Sequence, residues 1–219
     1  ERASQFDIIH CQSEYYPMSL AFGRLVSTPV LHTVHYAPAE DEVAIWRRYP
    51  EAPFVAVSAA QAARLAGLRI LGTVHHGVDT DALPFQATPG DYLLFLGRMT
   101  ADKGCHRAVE VAQEAGLPLR IAGKMREPAE REYFEAHVAP HLGDGIEYLG
   151  ETSHGKKVAL LQNARATLFP IEWEEPFGLV MIESMACGTP VIGTRWGAVP
   201  EVIDDGRSGI IVDHYRDMA

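Results

Sequence analysis

The sequence predicts an α/β protein whose parallel sheets are covered by helices on both faces. Short, continuous apolar runs alternate with helix-like segments along the chain, which is the pattern of buried parallel strands joined by crossover helices. The composition is that of a folded protein, with 47% hydrophobic and 22% charged residues. No apolar run approaches ~18 residues, so the sequence predicts no membrane-spanning helix.

The first part of the chain, residues 1–87, is predicted to form a domain of about four strand–helix units. Ser58 precedes an alanine-rich run, so we expect it to cap the helix that begins at Ala59. A turn cluster without hydrophobic periodicity, residues 87–91, predicts the domain boundary. The predicted strands span residues 6–11, 29–35, 54–57 and 69–75, and the predicted helices span residues 17–26, 41–48 and 59–66.

The second part, residues 88–219, continues the alternation for about six units and is predicted to be a complete domain. The first part begins abruptly in a strand and has no glycine-rich turn after it, so we expect the chain to be a portion of a longer protein. The predicted strands of the second part span residues 92–97, 119–122, 146–149, 166–169, 191–194 and 209–212, and its predicted helices span residues 103–115, 127–138, 156–164 and 178–186, with a short helical turn at 200–203.

Charge and cysteine content exclude several classes of protein. Nineteen Lys and Arg against 29 Asp and Glu give a formal net charge of −10, whereas a general nucleic-acid-binding protein needs an excess of positive charge. Cys11, Cys105 and Cys187 are far apart and odd in number, which is typical of neither a disulfide framework nor a zinc site. We therefore expect a cytoplasmic protein with no nucleic-acid partner.

Two nucleotide-binding motifs are absent from the sequence. Residues 150–157 resemble the phosphate-binding loop of nucleotide triphosphatases, but Lys157 occupies the position where that loop needs Ser or Thr to bind Mg²⁺. The dinucleotide fingerprint G-x-G-x-x-G follows none of the predicted strands. A sugar epimerase or dehydrogenase would need such a turn upstream of residue 1.

The ten histidines form no metal-binding pattern. His32 and His35 are three residues apart in a predicted strand, where that spacing points side chains to opposite faces. His75 and His76 are adjacent and are expected to diverge for the same reason. We therefore expect no metal and no cofactor.

Residues 173–183 predict an anion site at the start of a helix. Pro176 suits the first turn of a helix, where its missing N–H has no partner to lose. Gly178 allows a ligand to approach the backbone closely, and the free N–H groups of Phe177, Gly178 and Leu179 point at whatever lies there.

Two glutamates, Glu175 and Glu183, are eight residues apart in this segment, or about 12 Å at the rise of a helix. That separation exceeds the ~5–9.5 Å of a glycosidase carboxylate pair. It suits two residues that hold opposite ends of an extended ligand. On this segment by itself, a helix-dipole partner and a solvated helix residue explain the two glutamates equally well.

A second signal is the pair of cations Arg98 and Lys103, which follow a predicted strand and its glycine, Gly97. Open α/β sheets bind their ligands at the carboxyl ends of strands. The planar fork of Arg and the point charge of Lys are commonly combined around phosphates. Together with a helix N-terminus in the same sheet, the two cations predict a diphosphate site.

These segments, in this order, resemble the retaining glycosyltransferases of family 4, which have the GT-B fold. The resemblance runs from about residue 6 to residue 213 and its motifs are highly specific. Two positions depart from the family pattern, because His76 replaces the usual Asn and Tyr36 stands where Asp is common. The matching motifs are Gly97 and Arg98 with residues 102–104, Glu175 with Glu183, and residues 34–36, 75–81, 183–192, 197–203 and 205–209.

The resemblance implies a GT-B-like fold, in which two Rossmann-like domains face a cleft. Residues 1–87 would be an incomplete acceptor-side domain and residues 88–219 the domain that binds the nucleotide sugar. The implied activity is the transfer of a sugar from a nucleoside diphosphate sugar to an acceptor with retained anomeric configuration (EC 2.4 class). UDP-sugars are the first choice of donor and GDP-sugars the second, and no metal is required.

The resemblance also assigns residue roles. Arg98 and Lys103 would neutralise the diphosphate, and Glu183 would bind the ribose hydroxyls. Glu175 and the amides of Phe177, Gly178 and Leu179 would bind the transferred sugar and the distal phosphate. His35 would face the sugar from the first domain. The expected border of the nucleobase consists of Gly123, Lys124, Gly150 and Glu151, with Gly97 at the strand end beside them.

Several points stay open at the level of sequence. The family's N-terminal strand, its glycine-rich loop and its C-terminal crossing helix have no counterpart, so the chain by itself is expected to be inactive or to be a non-catalytic nucleotide-sugar-binding fragment. The acceptor is a saccharide, a lipid or a natural product. Further expected partners are the remainder of a longer chain or a second copy, and the full-length protein is expected to associate peripherally with membranes.

Overall fold

The computed structural model describes residues 2–12 and 16–219, with the backbone alone at residues 16 and 17. The chain forms two compact units. Unit 1 consists of Glu1–His76 and Glu174–Phe177, and unit 2 consists of Gly77–Trp173 and Gly178–Ala219.

The described residues of unit 1 form a four-stranded parallel sheet in the order β1-β2-β3-β4. Trp46, Phe54 and Leu65 are fully buried between this sheet and its helices. The hydroxyl of Ser58 accepts a 2.9 Å hydrogen bond from the backbone N–H of Gln61, which confirms the predicted helix cap. The elements are β1 Ile9–Cys11, α1 Tyr16–Gly23, β2 Val30–Thr33, α2 Glu40–Trp46, β3 Pro53–Ala56, α3 Ala59–Arg64 and β4 Arg69–Thr73.

Unit 2, whose residues are all described, has a six-stranded parallel sheet in the order β10-β9-β8-β5-β6-β7. The chain therefore starts in the middle of the sheet at β5, builds outward to β7, and returns to β8 on the other side of β5. Its elements are β5 Tyr92–Leu96, α4 Cys105–Ala115, β6 Leu119–Ala122, α5 Pro128–His137, β7 Ile146–Tyr148, α6 His154–Gln162, β8 Ala164–Phe169, α7 Leu179–Ala186, β9 Val191–Thr194, α8 Val199–Val202 and β10 Gly209–Val212.

Successive side chains of β5 pack on opposite faces of the unit 2 sheet. Leu93 and Phe95 belong to one buried cluster, and Tyr92 and Leu94 belong to another. Because both faces are covered, the strand reads as a continuous apolar run. The predicted α/β class with parallel sheets is confirmed. Each predicted strand has an observed counterpart, and their ends either coincide or differ by one to three residues.

The structural division precedes the turn cluster that the sequence analysis used as a boundary. Residues 77–87 pack with unit 2, because Leu83 is buried beside Val158 and Cys187. In addition, the backbone N–H of Gln86 donates a 2.9 Å hydrogen bond to the carbonyl of Cys187. The turn signals mark a change of chain direction within unit 2.

Among the described residues, no helix has both the length and the apolar character needed to cross a bilayer.

Candidate functional site

Three glycine turns lie side by side at the carboxyl edge of the unit 2 sheet. The backbone N–H of Gly97, after β5, donates to the carbonyl of Ala122 at 3.2 Å. The N–H of Gly123, after β6, donates to the carbonyl of Gly150, after β7, at 3.1 Å. A Cβ on Gly123 would lie 1.8 Å from the carbonyl oxygen of Gly97, so only glycine fits there. Backbone atoms of the three turns therefore lie close together at this edge.

Arg98 and Lys103 follow the first of these turns, as the sequence analysis predicted. The Arg98 side chain is 53% exposed, and its Nη1 lies 4.0 Å from Oε1 of Glu130. The ammonium of Lys103 lies 4.5 Å from the centre of a Trp173 ring, within the range of a cation–π interaction. The aromatic ring restricts the lysine, and Glu130 lies beside the arginine.

Glu130 is a buried carboxylate that the sequence analysis missed. It accepts hydrogen bonds from the backbone N–H groups of Arg126 at 2.8 Å and Glu127 at 3.2 Å. These bonds lower the pKa of Glu130, and the cations Arg98 and Lys124 lower it further. An ionised Glu130 thus lies beside two of the predicted cations. Its position three residues after Glu127 is the spacing of a helix capping box, a signal that the sequence does carry.

The loops after β5 and β8 meet where the strand order reverses. Gly104 has φ +75, and a Cβ there would lie 2.4 Å from the carbonyl oxygen of Pro170. Arg107 joins the two loops, because its Nη1 donates to that carbonyl at 3.1 Å and its Nη2 lies 2.6 Å from Glu172. Ligands of open α/β sheets bind at such a switch point.

The residues predicted to border a nucleobase lie at the ends of β6 and β7. Gly123 and Gly150 are adjacent through the hydrogen bond described above, and Lys124 is exposed. Glu151 forms a 2.8 Å ion pair with Arg126, and both side chains are more than half exposed.

Glu183 lies on α7 and forms an ion pair with a residue of α6. The distance from its Oε1 to Nζ of Lys157 is 2.6 Å, and the side chains are 19% and 27% exposed. Burial raises the pKa of the Cys187 thiol; Glu183 raises this pKa further and Lys157 lowers it. The pair thus lies beside a buried thiol.

The helix that follows the predicted anion site begins later than the placement of Pro176 in its first turn requires. Gly178 is the N-cap of α7 and has φ +84, and Leu179 is the first helical residue. The interpretation of Pro176 as a first-turn residue was therefore wrong, because the left-handed conformation of Gly178 separates it from the helix. The helical rise likewise does not apply from Glu175 to Gly178, so it does not give the Glu175–Glu183 distance.

His35 belongs to a hydrogen-bonded cluster in unit 1. Its ring stacks on that of His76, with centroids 5.1 Å apart and planes at 13°, and its Nδ1 lies 3.5 Å from Nε2 of His76. Its Nε2 contacts the side-chain oxygen of Gln12. Partial desolvation of the two rings lowers the pKa of both histidines, so they favour the neutral form.

Phe177 contacts this histidine cluster from the segment Glu174–Phe177, which also belongs to unit 1. Its buried ring lies 5.5 Å from His75 and 5.0 Å from His76, between ring centres. The prediction that the two histidines diverge was wrong, because β4 ends at Thr73 and the alternation of a strand no longer applies. Glu175, in the same segment, is also buried.

The prediction that His32 and His35 point to opposite faces of one strand does not apply, because β2 ends at Thr33 and His35 lies beyond it. His32 is buried against Phe54, whereas His35 is exposed. Within the described residues, no group of three or more His, Cys, Asp or Glu side chains is arranged to hold a metal ion.

Comparison with known proteins identifies the family. Residues 84–219 match the family described as Glycosyl transferases group 1. The chain belongs to this family. The matched range includes every predicted site residue of unit 2, as well as Glu175 and Phe177.

Two curated relatives of this glycosyl transferase chain are 30% and 32% identical to it over the aligned residues, which cover two thirds of this chain. The glycogen synthase of Mycobacterium tuberculosis is 30% identical over 154 residues, which cover 66% of this chain and 36% of the relative. The D-inositol 3-phosphate glycosyltransferase of Pseudarthrobacter chlorophenolicus is 32% identical over 154 residues, which cover 66% and 34%. The chain thus matches about a third of the length of these relatives.

A solved structure shows the same fold. Anabaena Alr3699/HepE in complex with UDP has a TM-score of 0.82 and 16% identity, over 99% of this chain and 68% of that one. The fold is that of GT-B glycosyltransferases, which confirms the predicted fold family.

Proposed function

We propose that this chain binds the donor in a glycosyltransferase that transfers a sugar from a nucleoside diphosphate sugar, with retention of configuration. The observation that carries the proposal is the placement of Arg98 and Lys103 directly after a glycine turn, at the carboxyl edge of the unit 2 sheet. Family membership is consistent with this chemistry.

The chemistry that fits these groups is stabilisation of the leaving group. As the bond between the sugar C1 and the diphosphate oxygen breaks, the electron pair stays on the diphosphate, whose charge Arg98 and Lys103 neutralise. The N–H groups at the start of α7 add their dipole. The acceptor hydroxyl oxygen then bonds to C1 on the face from which the diphosphate departs, and its proton passes to a diphosphate oxygen. Because the cations supply positive charge, the proposed reaction needs no metal.

The remaining roles are carried over residue by residue from the family. Glu183 binds the ribose hydroxyls, and Glu175 binds the transferred sugar. The amides of Phe177, Gly178 and Leu179 bind the sugar and the distal phosphate, and His35 contacts the sugar. The base lies against the adjacent turns that contain Gly97, Gly123, Lys124, Gly150 and Glu151.

UDP is the proposed nucleotide, with GDP as the second choice. The crystallised relative from Anabaena is described with UDP, which supports this order. The relatives' names point to different acceptors, a glycogen synthase and a D-inositol 3-phosphate glycosyltransferase, so the proposal leaves the acceptor as a saccharide, lipid or natural product. A cytoplasmic site of action is part of the proposal.

The test is a screen of UDP-, GDP- and ADP-sugars for hydrolysis and transfer by the full-length protein. We expect UDP-sugars to be consumed fastest and the double variant Arg98→Ala/Lys103→Ala to be inactive with all three. Donor binding without any turnover would favour the non-catalytic alternative. Absence of both binding and turnover would contradict the proposal.

A further inference from the structure

We propose that Lys157 is a ribose-binding residue of the donor site, an inference that rests on the proposed function. Lys157 lies in the first turn of α6, which begins at His154 after the Gly150 turn. Its ammonium is 2.6 Å from Oε1 of Glu183, the residue proposed to bind the ribose. Two different helices therefore place opposite charges at one point.

The ion pair is only partly accessible to solvent. The side chains are 27% and 19% exposed, so each charge has lost much of its water while one side of the pair stays open to a ligand. The neighbouring Lys156 is exposed, in contrast, and belongs to the same turn of α6. Two adjacent lysines thus have different environments, and the partial burial of Lys157 indicates a specific role.

The hydrogen-bonding capacity of the pair matches a vicinal diol. A lysine ammonium has three donors and no acceptor, and among the described residues Lys157 donates to Oε1 of Glu183. Two N–H groups of Lys157 and the second carboxylate oxygen of Glu183 therefore remain to be used. Each ribose hydroxyl can both donate and accept. One hydroxyl donates to Glu183 and the other accepts from Lys157.

Without the lysine, Glu183 would offer the diol only hydrogen-bond acceptors. The pair offers an acceptor and a donor, so it favours a ligand that carries both ribose hydroxyls over one that lacks them. An isolated surface ion pair, in comparison, contributes little and has no ligand preference.

The experiment measures binding of UDP and of 2′,3′-dideoxy-UDP by calorimetry. It uses the full-length wild type, Lys157→Met and the matched control Lys156→Met, which removes the same charge one residue away. We expect Lys157→Met to lower the affinity for UDP by ~10–100-fold, the scale of a lost hydrogen bond to a charged group, and to leave dideoxy-UDP within about twofold. Lys156→Met should leave both affinities unchanged.

The remaining outcomes are decisive in the other direction. If Lys157→Met weakens the binding of both nucleotides equally, Lys157 acts on the fold or on the phosphate charge. If the affinity for UDP is unchanged, Lys157 binds no part of the ribose. Either result overturns the inference but leaves the proposed function standing. No nucleotide binding by the wild type would overturn both. If Lys157→Met does not unfold cooperatively, Lys157→Gln is measured in its place, and the same results support or overturn the inference.

Discussion

The strand ends of the two units differ in the kind of charge that they carry. In unit 2, the carboxyl edge combines glycine turns with the basic side chains of Arg98 and Lys103. In unit 1, the residues after β2 and β4 include His35 and His76, which stack on each other and whose pKa values are lowered. Two parallel sheets of the same class therefore carry different side chains at their strand ends.

This difference is the basis for proposing that the anionic donor binds to unit 2. Permanent cations stabilise a diphosphate throughout the reaction, whereas neutral imidazoles donate and accept hydrogen bonds without adding charge. The sheet topology does not produce the difference, since both sheets are parallel. It comes from the residues that follow each strand, which is where function is added to a fold.

The largest expected effect is on the unit 2 cations. Arg98→Ala or Lys103→Ala should lower turnover of the full-length protein by ~10²–10³, the scale for losing one preorganised contact to transition-state charge. Steady-state kinetics with the preferred donor measures this effect. The matched control is Arg165→Ala, at an exposed position of β8, which should leave turnover unchanged. Near-normal rates in both single variants would show that the cations of unit 2 have no role in turnover and would contradict the proposed difference in function between the units.

The two glutamates should separate binding of nucleotide from turnover. Glu183→Gln should weaken both free UDP and the intact donor by ~1–3 kcal/mol, because a charged hydrogen bond to the ribose is lost. Glu175→Gln should leave the affinity for free UDP nearly unchanged and lower turnover. Calorimetry with UDP on both variants compares them. A loss at Glu175 equal to or larger than that at Glu183 would reverse the assignment.

The histidines of unit 1 should make its stability depend on pH. Because the pKa values of His35 and His76 are lowered below the usual 6.5, the unfolded chain binds protons more readily than the folded one. Their contribution to stability is therefore present above about pH 6.5 and is lost as the pH falls through the lowered values.

Denaturant unfolding between pH 8 and pH 5 measures this dependence. His76→Gln should lose less stability on acidification than the wild type, whereas His141→Gln, at an exposed position of unit 2, should follow the wild type. Parallel curves for the wild type and His76→Gln would contradict the account of the unit 1 histidines.

The smallest expected effect is that of a chelator. Transfer by the full-length protein should continue at its normal rate in excess EDTA, because Arg98 and Lys103 supply the charge that Mg²⁺ would supply. If activity is lost in EDTA and only a divalent metal restores it, a metal ion neutralises the diphosphate charge and the prediction is wrong.

Features that are local in sequence were predictable. Gly97 follows an apolar run and was placed at the carboxyl end of its strand, whereas the family resemblance placed Gly123 and Gly150 beside the same ligand; the structure has the three turns adjacent. Arg98 and Lys103 follow Gly97 and were placed at the same strand end, because open α/β sheets bind their ligands there.

Pairings between distant segments were not predictable. Lys157 and Glu183 are 26 residues apart on two helices, and neither sequence neighbourhood indicates the other. Phe177 contacts His75 and His76 from about a hundred residues away, which no periodicity encodes. Only tertiary packing brings these groups together.

The most direct test of the central claim is a calorimetric comparison of UDP and UMP on the wild type and on Arg98→Ala/Lys103→Ala. If the unit 2 cations bind the diphosphate, the wild type binds UDP more tightly than UMP, and the double variant loses most of that preference while it retains its affinity for UMP. Equal preference for UDP in the wild type and the double variant would contradict the claim.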